Sequence, residues 1–159
     1  MKSFDAFGNA KGERRFPPLK VFAKSKIENR KKEEIGVEWR MRAIRGATTV
    51  ASNTVEAMRE AVIELLDELE KRNHLHPTDM ISVTFSVTQD LDAIFPAAIA
   101  RTRPCWDNVA MLDVQQMHVE GSLERCVRFL VHAYVPPSEP IHHVYLRHAA
   151  NLRPDWNSP

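Results

Sequence analysis

Apolar and polar residues alternate along residues 38–43, and this period of two predicts a half-buried strand. We expect Gly46 to end that strand. Apolar residues then recur at helical spacing over residues 55–69, as in a helix that packs one face on a sheet. The polar residues 52–54 supply the N-cap, and the helix is expected to stop near Asn73.

The rest of the chain contains four more β-rich runs and one short helix. The runs are Met80–Val87, Val109–Val114, Glu124–Tyr134 and Val144–Leu152. Pro96 stands at the first position of the short helix, where a proline is well tolerated. The order β-α-β-α-β-β-β predicts an α/β (α+β) domain with a mixed sheet and helices on one face. In so short a chain, another copy is expected to cover the other face.

Charge is divided unevenly between two segments of the chain. Residues 1–36 carry ten Lys/Arg against five Asp/Glu and show no sustained apolar period, whereas residues 37–159 carry twelve against sixteen. We therefore expect a basic, disordered extension over residues 1–36, followed by one domain over residues 37–159. The extension is either a dispensable tail or a partner-binding or targeting arm. Nothing in it is patterned to bury a surface.

Composition argues against several classes of partner. A nucleic-acid binder displays its basic residues on the folded body, but this body is mildly acidic, so nucleic acid is not expected. No apolar run approaches the ~18–20 residues that cross a bilayer, so a membrane is not expected either. Cys105 and Cys126 are too few for a disulfide framework, which fits a reducing, cytoplasmic setting.

The histidines and glycines do not form a recognisable metal or phosphate motif. The seven histidines lack HExxH spacing and an accompanying Cys/Asp ligand set, so we interpret them as surface or loop residues and expect no metal. Gly46 and Gly121 stand alone, which argues against a phosphate-binding loop. Neither a metal nor a nucleotide held by such a loop is therefore expected.

Three arginines occupy structured positions instead: Arg45, Arg128 and Arg153. A guanidinium stays charged and is costly to place beside apolar surface without an anion. The partner could be an internal carboxylate, but Arg128 lies in a strand between Cys126 and Leu130 on its own face. An external dianion is therefore a reasonable partner. With Tyr145 nearby, the pattern indicates substrate positioning and charge stabilisation rather than covalent catalysis.

Residues 44–50, Ile-Arg-Gly-Ala-Thr-Thr-Val, resemble the opening motif of the trimeric α/β chorismate mutases. Further matches follow in the same order: Asn73-His74, residues 88–97, Trp106, residues 115–117, residues 126–128, residues 143–146 and residues 152–155. The resemblance implies a chorismate-mutase-like pseudo-barrel homotrimer with an active site at each of three subunit interfaces. It also implies cofactor-free conversion of chorismate to prephenate, on the route to phenylalanine and tyrosine.

The resemblance also assigns roles to residues. Arg45 would bind a substrate carboxylate, and Arg128 would bridge the ether oxygen and the pyruvyl carboxylate. As the C–O bond lengthens, the Arg128 cation would stabilise the negative charge that builds on that oxygen. Tyr145 would complete the carboxylate pocket. The other substrate-binding positions would be Phe95 from a neighbouring subunit, Arg101, Arg153 on a flexible tail from about residue 151, and the segment Leu112, Asp113, Val114, Gln115 and Gln116.

The sequence departs from the family pattern at one edge of the expected site. Gln116 stands where most members have a glutamate, and Asp113 stands where many have a cysteine. Our hypothesis is that Asp113 supplies the anionic partner for the substrate hydroxyl or for Arg128, while Gln116 keeps a neutral hydrogen bond. A strand that ends near Val114 and turns at Gln115 could point both side chains into one pocket. The rival hypothesis is that Asp113 pairs only with a structural arginine. Ala98 replaces a lysine of some relatives, which lowers the positive potential.

Two other functions stay open at the level of sequence. The trimeric imine-deaminase group has a related fold and an interface arginine, although the Arg45-Gly46-Ala47 motif and the Tyr145 strand fit it poorly. A non-catalytic trimer that senses chorismate or prephenate is the second alternative. The expected catalytic set is Arg128, Arg45, Asp113 and Gln116.

Overall fold

The computed structural model describes residues 39–156, so the extension expected over residues 1–36 lies outside the described residues. Its elements are β1 (Arg40–Thr49), α1 (Val55–Asn73), β2 (Met80–Val87), α2 (Pro96–Ala100), β3 (Ala110–Gln115), β4 (Cys126–Val135) and β5 (Val144–Tyr145). Three 3-10 turns lie at Pro77–Asp79, Arg147–Leu152 and Pro154–Trp156. This order confirms the expected α/β class.

The five strands form one mixed sheet in the order β3-β2-β4-β1-β5. The central strand β4 runs antiparallel to β1 and β2, while β2–β3 and β1–β5 are parallel pairs. The register aligns one row across all five strands: Val114, Ser86, Arg128, Ala47 and Tyr145. Because paired residues point to the same face, this row places Arg128 and Tyr145 on one side of the sheet.

The helices cover only one face of the sheet. One face packs under the helices as a continuous core that includes Ile44, Val83, Phe85, Val127, Val131, Met58, Leu65 and Leu69. We call the other side the open face. Its apolar side chains Met41, Leu112, Leu130 and Tyr134 are exposed, which is unusual for so many large residues on one surface.

Helix α1 has the boundaries that its sequence predicts. The Thr54 hydroxyl caps the amino end by accepting a hydrogen bond from the Ala57 amide at 3.2 Å. The carboxyl end closes after Asn73, where His74 takes a left-handed conformation (φ 50°) and donates its amide to the Glu70 carbonyl. Acidic Glu56 in the first turn and basic Arg72 in the last turn suit the helix dipole.

Gly46 does not end the first strand, contrary to the sequence-based expectation. Strand β1 continues to Thr49, and Gly46 pairs with Phe129 of β4. A Cβ on residue 46 would overlap the Phe129 ring. Gly46 is therefore needed for this close approach of a ring to a backbone, and its presence does not mark a turn.

The strand expected over Val144–Leu152 is also wrong beyond Tyr145. Arg147 takes a left-handed conformation (φ 51°), which is unfavourable for a residue with a side chain and turns the chain out of the sheet. Its guanidinium donates hydrogen bonds to Glu60 at 2.7 Å and Glu64 at 2.8 Å on α1. These two ion pairs hold the turn against the helix.

Within residues 39–156, neither α-helix combines the length and the apolar character that crossing a membrane requires.

Candidate functional site

Arg128 lies half-buried near the start of β4, on the open face. Its Nε is inaccessible to solvent and has no hydrogen-bond partner among residues 39–156. None of the ion pairs formed within that range involves Arg128. A buried guanidinium nitrogen without an acceptor is costly, so this atom is poised to donate to an anion.

The side chain beside Arg128 does not neutralise it. Burial raises the pKa of the Cys126 thiol, and the nearby Arg128 cation only partly opposes that rise. Cys126 therefore stays neutral and leaves the Arg128 charge uncompensated. The two residues are neighbours on the open face because they stand two apart in the same strand.

Tyr145 lies on the open face at the far edge of the sheet. It is 7% exposed and packs with Ala47, Cys126 and Ala149 in a small apolar cluster separate from the main core. Ala47 is the only residue between Tyr145 and Arg128 in the aligned row, so the two side chains start about 10 Å apart, two strand spacings.

Arg45 lies one row away from Arg128 on the same face. It pairs with Leu130 of β4, which makes Arg45 and Arg128 diagonal neighbours about 7–8 Å apart. The Arg45 amide donates a hydrogen bond to Nδ1 of His143 at 3.0 Å. The two guanidinium groups therefore rise from adjacent strands of the same surface.

The electrostatics of His143 show that this corner of the sheet is positively charged. Burial lowers the pKa of the His143 imidazole, and the positive charges of Arg45 and Arg153 lower it further. Arg153 itself forms a two-bond ion pair with Asp155 at 3.0 and 2.7 Å, and that bond is the main reason why the pKa of Arg153 is raised. We call Arg45, Arg128, Tyr145 and Arg153 the arginine site.

A second group of expected site residues lies apart from the arginine site. Phe95, Asp113, Val114 and Gln115 line a cavity of about 480 Å³ where α2 meets the carboxyl ends of β2 and β3. The Phe95 ring is 71% exposed although it is large and apolar. We call this concavity the Phe95 cavity.

Asp113 points into the helix-covered side of β3. Its Oδ1 accepts a hydrogen bond from the Ala97 amide at 3.0 Å, at the start of α2. Burial raises the pKa of the Asp113 carboxyl, while the Ala97 bond and the Arg101 charge act in the opposite direction. Asp113 aligns with Phe129, not with Arg128, so within one copy Asp113 and Arg128 face opposite sides of the sheet.

Gln116 follows directly after β3 and does not line the Phe95 cavity. The backbone amide of Gln116 donates a hydrogen bond to the Val87 carbonyl at 2.7 Å. This bond fixes the backbone at the end of the sheet. The side-chain Oε1 is buried and, among the described residues, has no hydrogen-bond donor. Asp113 and Gln116 therefore do not share a pocket within one copy, although our hypothesis expected them to converge.

A larger cavity of about 810 Å³ contains none of the expected site residues. It lies between Val50, Leu123 and the turn after β5. Its two arginines are already engaged, Arg125 with the Ala51 carbonyl and Arg147 with Glu60 and Glu64. It is therefore a less suitable anion site than the arginine site. Within residues 39–156, no three His, Cys, Asp or Glu side chains cluster as metal ligands would.

His143 is the residue whose position the sequence did not reveal. From the sequence it was interpreted as a surface or loop histidine; it does lie in the loop before β5, but its ring is half-buried against the Arg45 backbone. The available signal was its place two residues before Tyr145, at the start of a strand that pairs with the Arg45 strand.

The fold is a small α/β domain with a five-stranded mixed sheet, and its open face presents Arg45, Arg128 and Tyr145. The chorismate mutase type I family model matches residues 41–156. The chain belongs to the chorismate mutase type I family, and the sequence-based identification of an isomerase with chorismate mutase activity is confirmed.

Individual relatives agree with this assignment. The chain is 38% identical over 116 residues to chorismate mutase AroH of Bacillus subtilis, covering 72% of this chain and 91% of that protein. It is 39% identical over 120 residues to chorismate mutase AroH of Thermus thermophilus, covering 74% and 98%. The solved structure of a chorismate mutase from Clostridium thermocellum superposes with a TM-score of 0.64 at 42% identity, covering 69% of this chain and 98% of that one.

Proposed function

We propose that the arginine site holds chorismate and accelerates its rearrangement to prephenate by electrostatic stabilisation. The observation that carries the proposal is the buried, unbonded Nε of Arg128. In a pericyclic rearrangement, the breaking C–O bond leaves partial negative charge on the ether oxygen. A cation already in place stabilises that charge more in the transition state than in the ground state, and this difference lowers the barrier.

Arg45 and Tyr145 are proposed to hold the substrate carboxylates. Both lie on the same face as Arg128, within about 10 Å of it, which suits a compact dianion held at two ends. Arg153 is proposed to add charge from the tail that begins near residue 151. Supporting this role, Arg153 is close enough to lower the pKa of His143.

We propose that each site is completed by a second copy of the chain within a homotrimer. In support, the expected residues fall into two groups on one copy, the arginine site and the Phe95 cavity. The exposed apolar side chains of the open face, such as Met41 at 63% and Leu112 at 59%, are suited to burial against another copy. Phe95, Arg101 and the residues 112–115 would then act across the interface.

Asp113 and Gln116 are proposed to bind the substrate hydroxyl from two sides of that interface. One oxygen of the Asp113 carboxylate accepts a hydrogen bond from the Ala97 amide, and Asp113 lines the Phe95 cavity. The Gln116 Oε1 lacks a donor among the described residues and is suited to accept one from a ligand. This arrangement keeps the relocated-carboxylate hypothesis, with the two side chains contributed by different copies.

A cytoplasmic setting and a non-catalytic extension complete the proposal. Both cysteines are free thiols, and Cys105 is exposed, which suits a reducing compartment. The family match begins at residue 41, which supports a catalytic domain over residues 37–159 and no chemical role for residues 1–36.

The test is the loss of chorismate absorbance with purified protein, with prephenate identified as product. We expect saturable turnover by the full chain and a fall in kcat of about 10²–10³ for Arg128→Ala. Arg128→Lys keeps a charge but loses the fixed fork of the guanidinium, so only partial recovery is expected. Undiminished turnover of a folded Arg128→Ala protein would remove the proposed mechanism, and binding of prephenate without turnover would favour a regulator.

A further inference from the structure

The loop before β5 is anchored to the core by one buried side chain. Asn73, at the end of α1, accepts a hydrogen bond from the His142 amide at 2.8 Å and donates one to the His142 carbonyl at 2.9 Å. It also donates to Leu69 in its own helix at 3.1 Å. The backbone immediately before His143 is therefore fixed from the α1 side.

The ladder between β1 and β5 is only two residues long. Gly46 pairs with Val144 and Ala47 pairs with Tyr145. The Arg45 amide, one residue earlier, donates instead to the His143 side chain at 3.0 Å. The imidazole thus replaces a strand carbonyl and extends the ladder to the residue that carries the Arg45 guanidinium.

This bond requires one particular protonation state of the ring. A backbone amide can only donate, so Nδ1 must carry a lone pair, and in the neutral ring Nε2 then holds the proton. Protonation of Nδ1 would place two N–H groups against each other and break the bond. Burial and the charges of Arg45 and Arg153 favour the neutral ring by lowering the pKa of His143 below 6.5.

From this geometry we infer that His143 is a positioning residue for the reaction: its neutral Nδ1 fixes the Arg45 backbone, and protonation of the ring releases it. The inference rests on the proposed role of Arg45. The Arg45 Cα lies in register with Leu130 and diagonal to Arg128, so a shift at Arg45 changes the spacing of the two guanidinium groups. A misplacement of about 1 Å in a positioning group can lower the rate as much as a hundredfold.

The charged and titratable groups around His143 come from four elements. Arg45 faces it from β1, and Arg153 faces it from the C-terminal segment, where Asp155 pairs with Arg153. Arg72 of α1 shares a small cavity with His142 and His143, and Arg72 is paired with Glu68. Tyr145 follows two residues later in the same segment. Both carboxylates of this set are ion-paired, and its two imidazoles are those of His142 and His143.

The test compares kcat/KM for chorismate between pH 5 and 8 for the full-length wild type, His143→Asn and His143→Leu. An asparagine Oδ1 occupies the position of Nδ1 and accepts the same bond without titrating, whereas leucine has no acceptor. For the wild type we expect kcat/KM to fall as the pH drops through the imidazole pKa. His143→Asn should stay within about threefold of the wild type near pH 8 and show no such fall. His143→Leu should lie ten- to a hundredfold below the wild-type value of pH 8 at every pH.

Nitrogen NMR of the wild-type imidazole supplies an independent readout, with His143→Asn used to assign the signal. We expect the Nε2–H tautomer and a pKa that matches the kinetic midpoint. The inference is overturned if the ring is the Nδ1–H tautomer, if His143→Asn keeps the acid fall, or if His143→Leu equals the wild type. Should His143→Leu fail to fold, the asparagine variant and the NMR tautomer decide. Absence of wild-type turnover would count against the proposed function and leave the tautomer measurement valid.

Discussion

At the scale of single residues, the site is shaped by groups whose partners are missing or replaced. The Arg128 Nε lacks an acceptor among the described residues, and the Gln116 Oε1 lacks a donor. Both are buried polar atoms that are costly to leave without a hydrogen bond. A ligand that offers an acceptor to Arg128 and a donor to Gln116 would remove both costs. In the proposed site the negative charge would come from Asp113, whose second oxygen is not used in its bond to Ala97.

Removal of the Asp113 charge should lower catalysis without unfolding α2. Asp113→Asn keeps an oxygen for the Ala97 amide, so the local fold is retained, but the carboxylate is lost. We expect kcat/KM to fall about a hundredfold, measured by chorismate consumption. Asp113→Asn combined with Gln116→Glu moves the charge back and should recover at least about tenfold. Near-normal kinetics for Asp113→Asn would refute the relocated charge.

The Phe129 ring over Gly46 makes a second residue-scale prediction, about stability. Gly46→Ala forces the ring or the strand to move and should lower the free energy of unfolding by about 1–3 kcal/mol in urea titrations. If overlap with the ring is the cause, Gly46→Ala combined with Phe129→Leu should lose less than the sum of the two single changes. A strictly additive double variant would point to another origin.

At the scale of elements, one polar side chain links helix α1 to the start of β5. Asn73 is 4% exposed and makes three hydrogen bonds, two of them to the backbone of His142. Its replacement leaves the amide and the carbonyl of His142 without these partners. The helix end therefore supports the arginine site through the loop that carries His143.

Asn73→Ala should accordingly cost about 1–3 kcal/mol of unfolding free energy and lower kcat/KM as the loop loosens. Asn108→Ala is the matched control, since Asn108 is an exposed asparagine of the loop before β3. Chemical denaturation and chorismate consumption measure the two effects. Equal stability of the two variants would show that the Asn73 bonds do not support the loop.

The element order and the ends of α1 followed from the sequence because they depend on local periodicity and capping. Thr54 and the apolar spacing up to Leu69 are sufficient for that. The end of β1 and the length of β5 did not follow, because each depends on a distant residue. Phe129 lies over Gly46, and Glu60 and Glu64 hold Arg147 out of the sheet.

The site was only partly accessible from sequence for a similar reason. Arg45, Arg128 and Tyr145 stand in adjacent strands, so their common face follows once the strands are assigned. The hydrogen bond between His143 and the Arg45 amide joins residues 98 apart in the chain, so no local sequence pattern predicts it. Asp113 and Arg128 lie on opposite faces of the sheet, and this placement depends on the register of three strands.

At the scale of the whole molecule, both groups of site residues are suited to contact with a second copy of the chain. The arginine site presents cations and carries exposed apolar side chains beside it, while the Phe95 cavity presents an exposed ring and a carboxylate. Neither group alone encloses a small molecule. A cyclic assembly in which the arginine site of one copy meets the Phe95 cavity of the next would close every site.

The most direct measurement mixes two inactive variants, each damaged in one half of the site. Arg128→Ala disables the arginine site, and Phe95→Glu places a negative charge in the Phe95 cavity at a side chain exposed enough to tolerate it. Each variant alone should be nearly inactive on chorismate. After subunits are exchanged in mild denaturant and reassembled, random assortment should leave one interface in four intact, restoring about a quarter of wild-type activity. Mixed assemblies without recovered activity would contradict a site shared between copies.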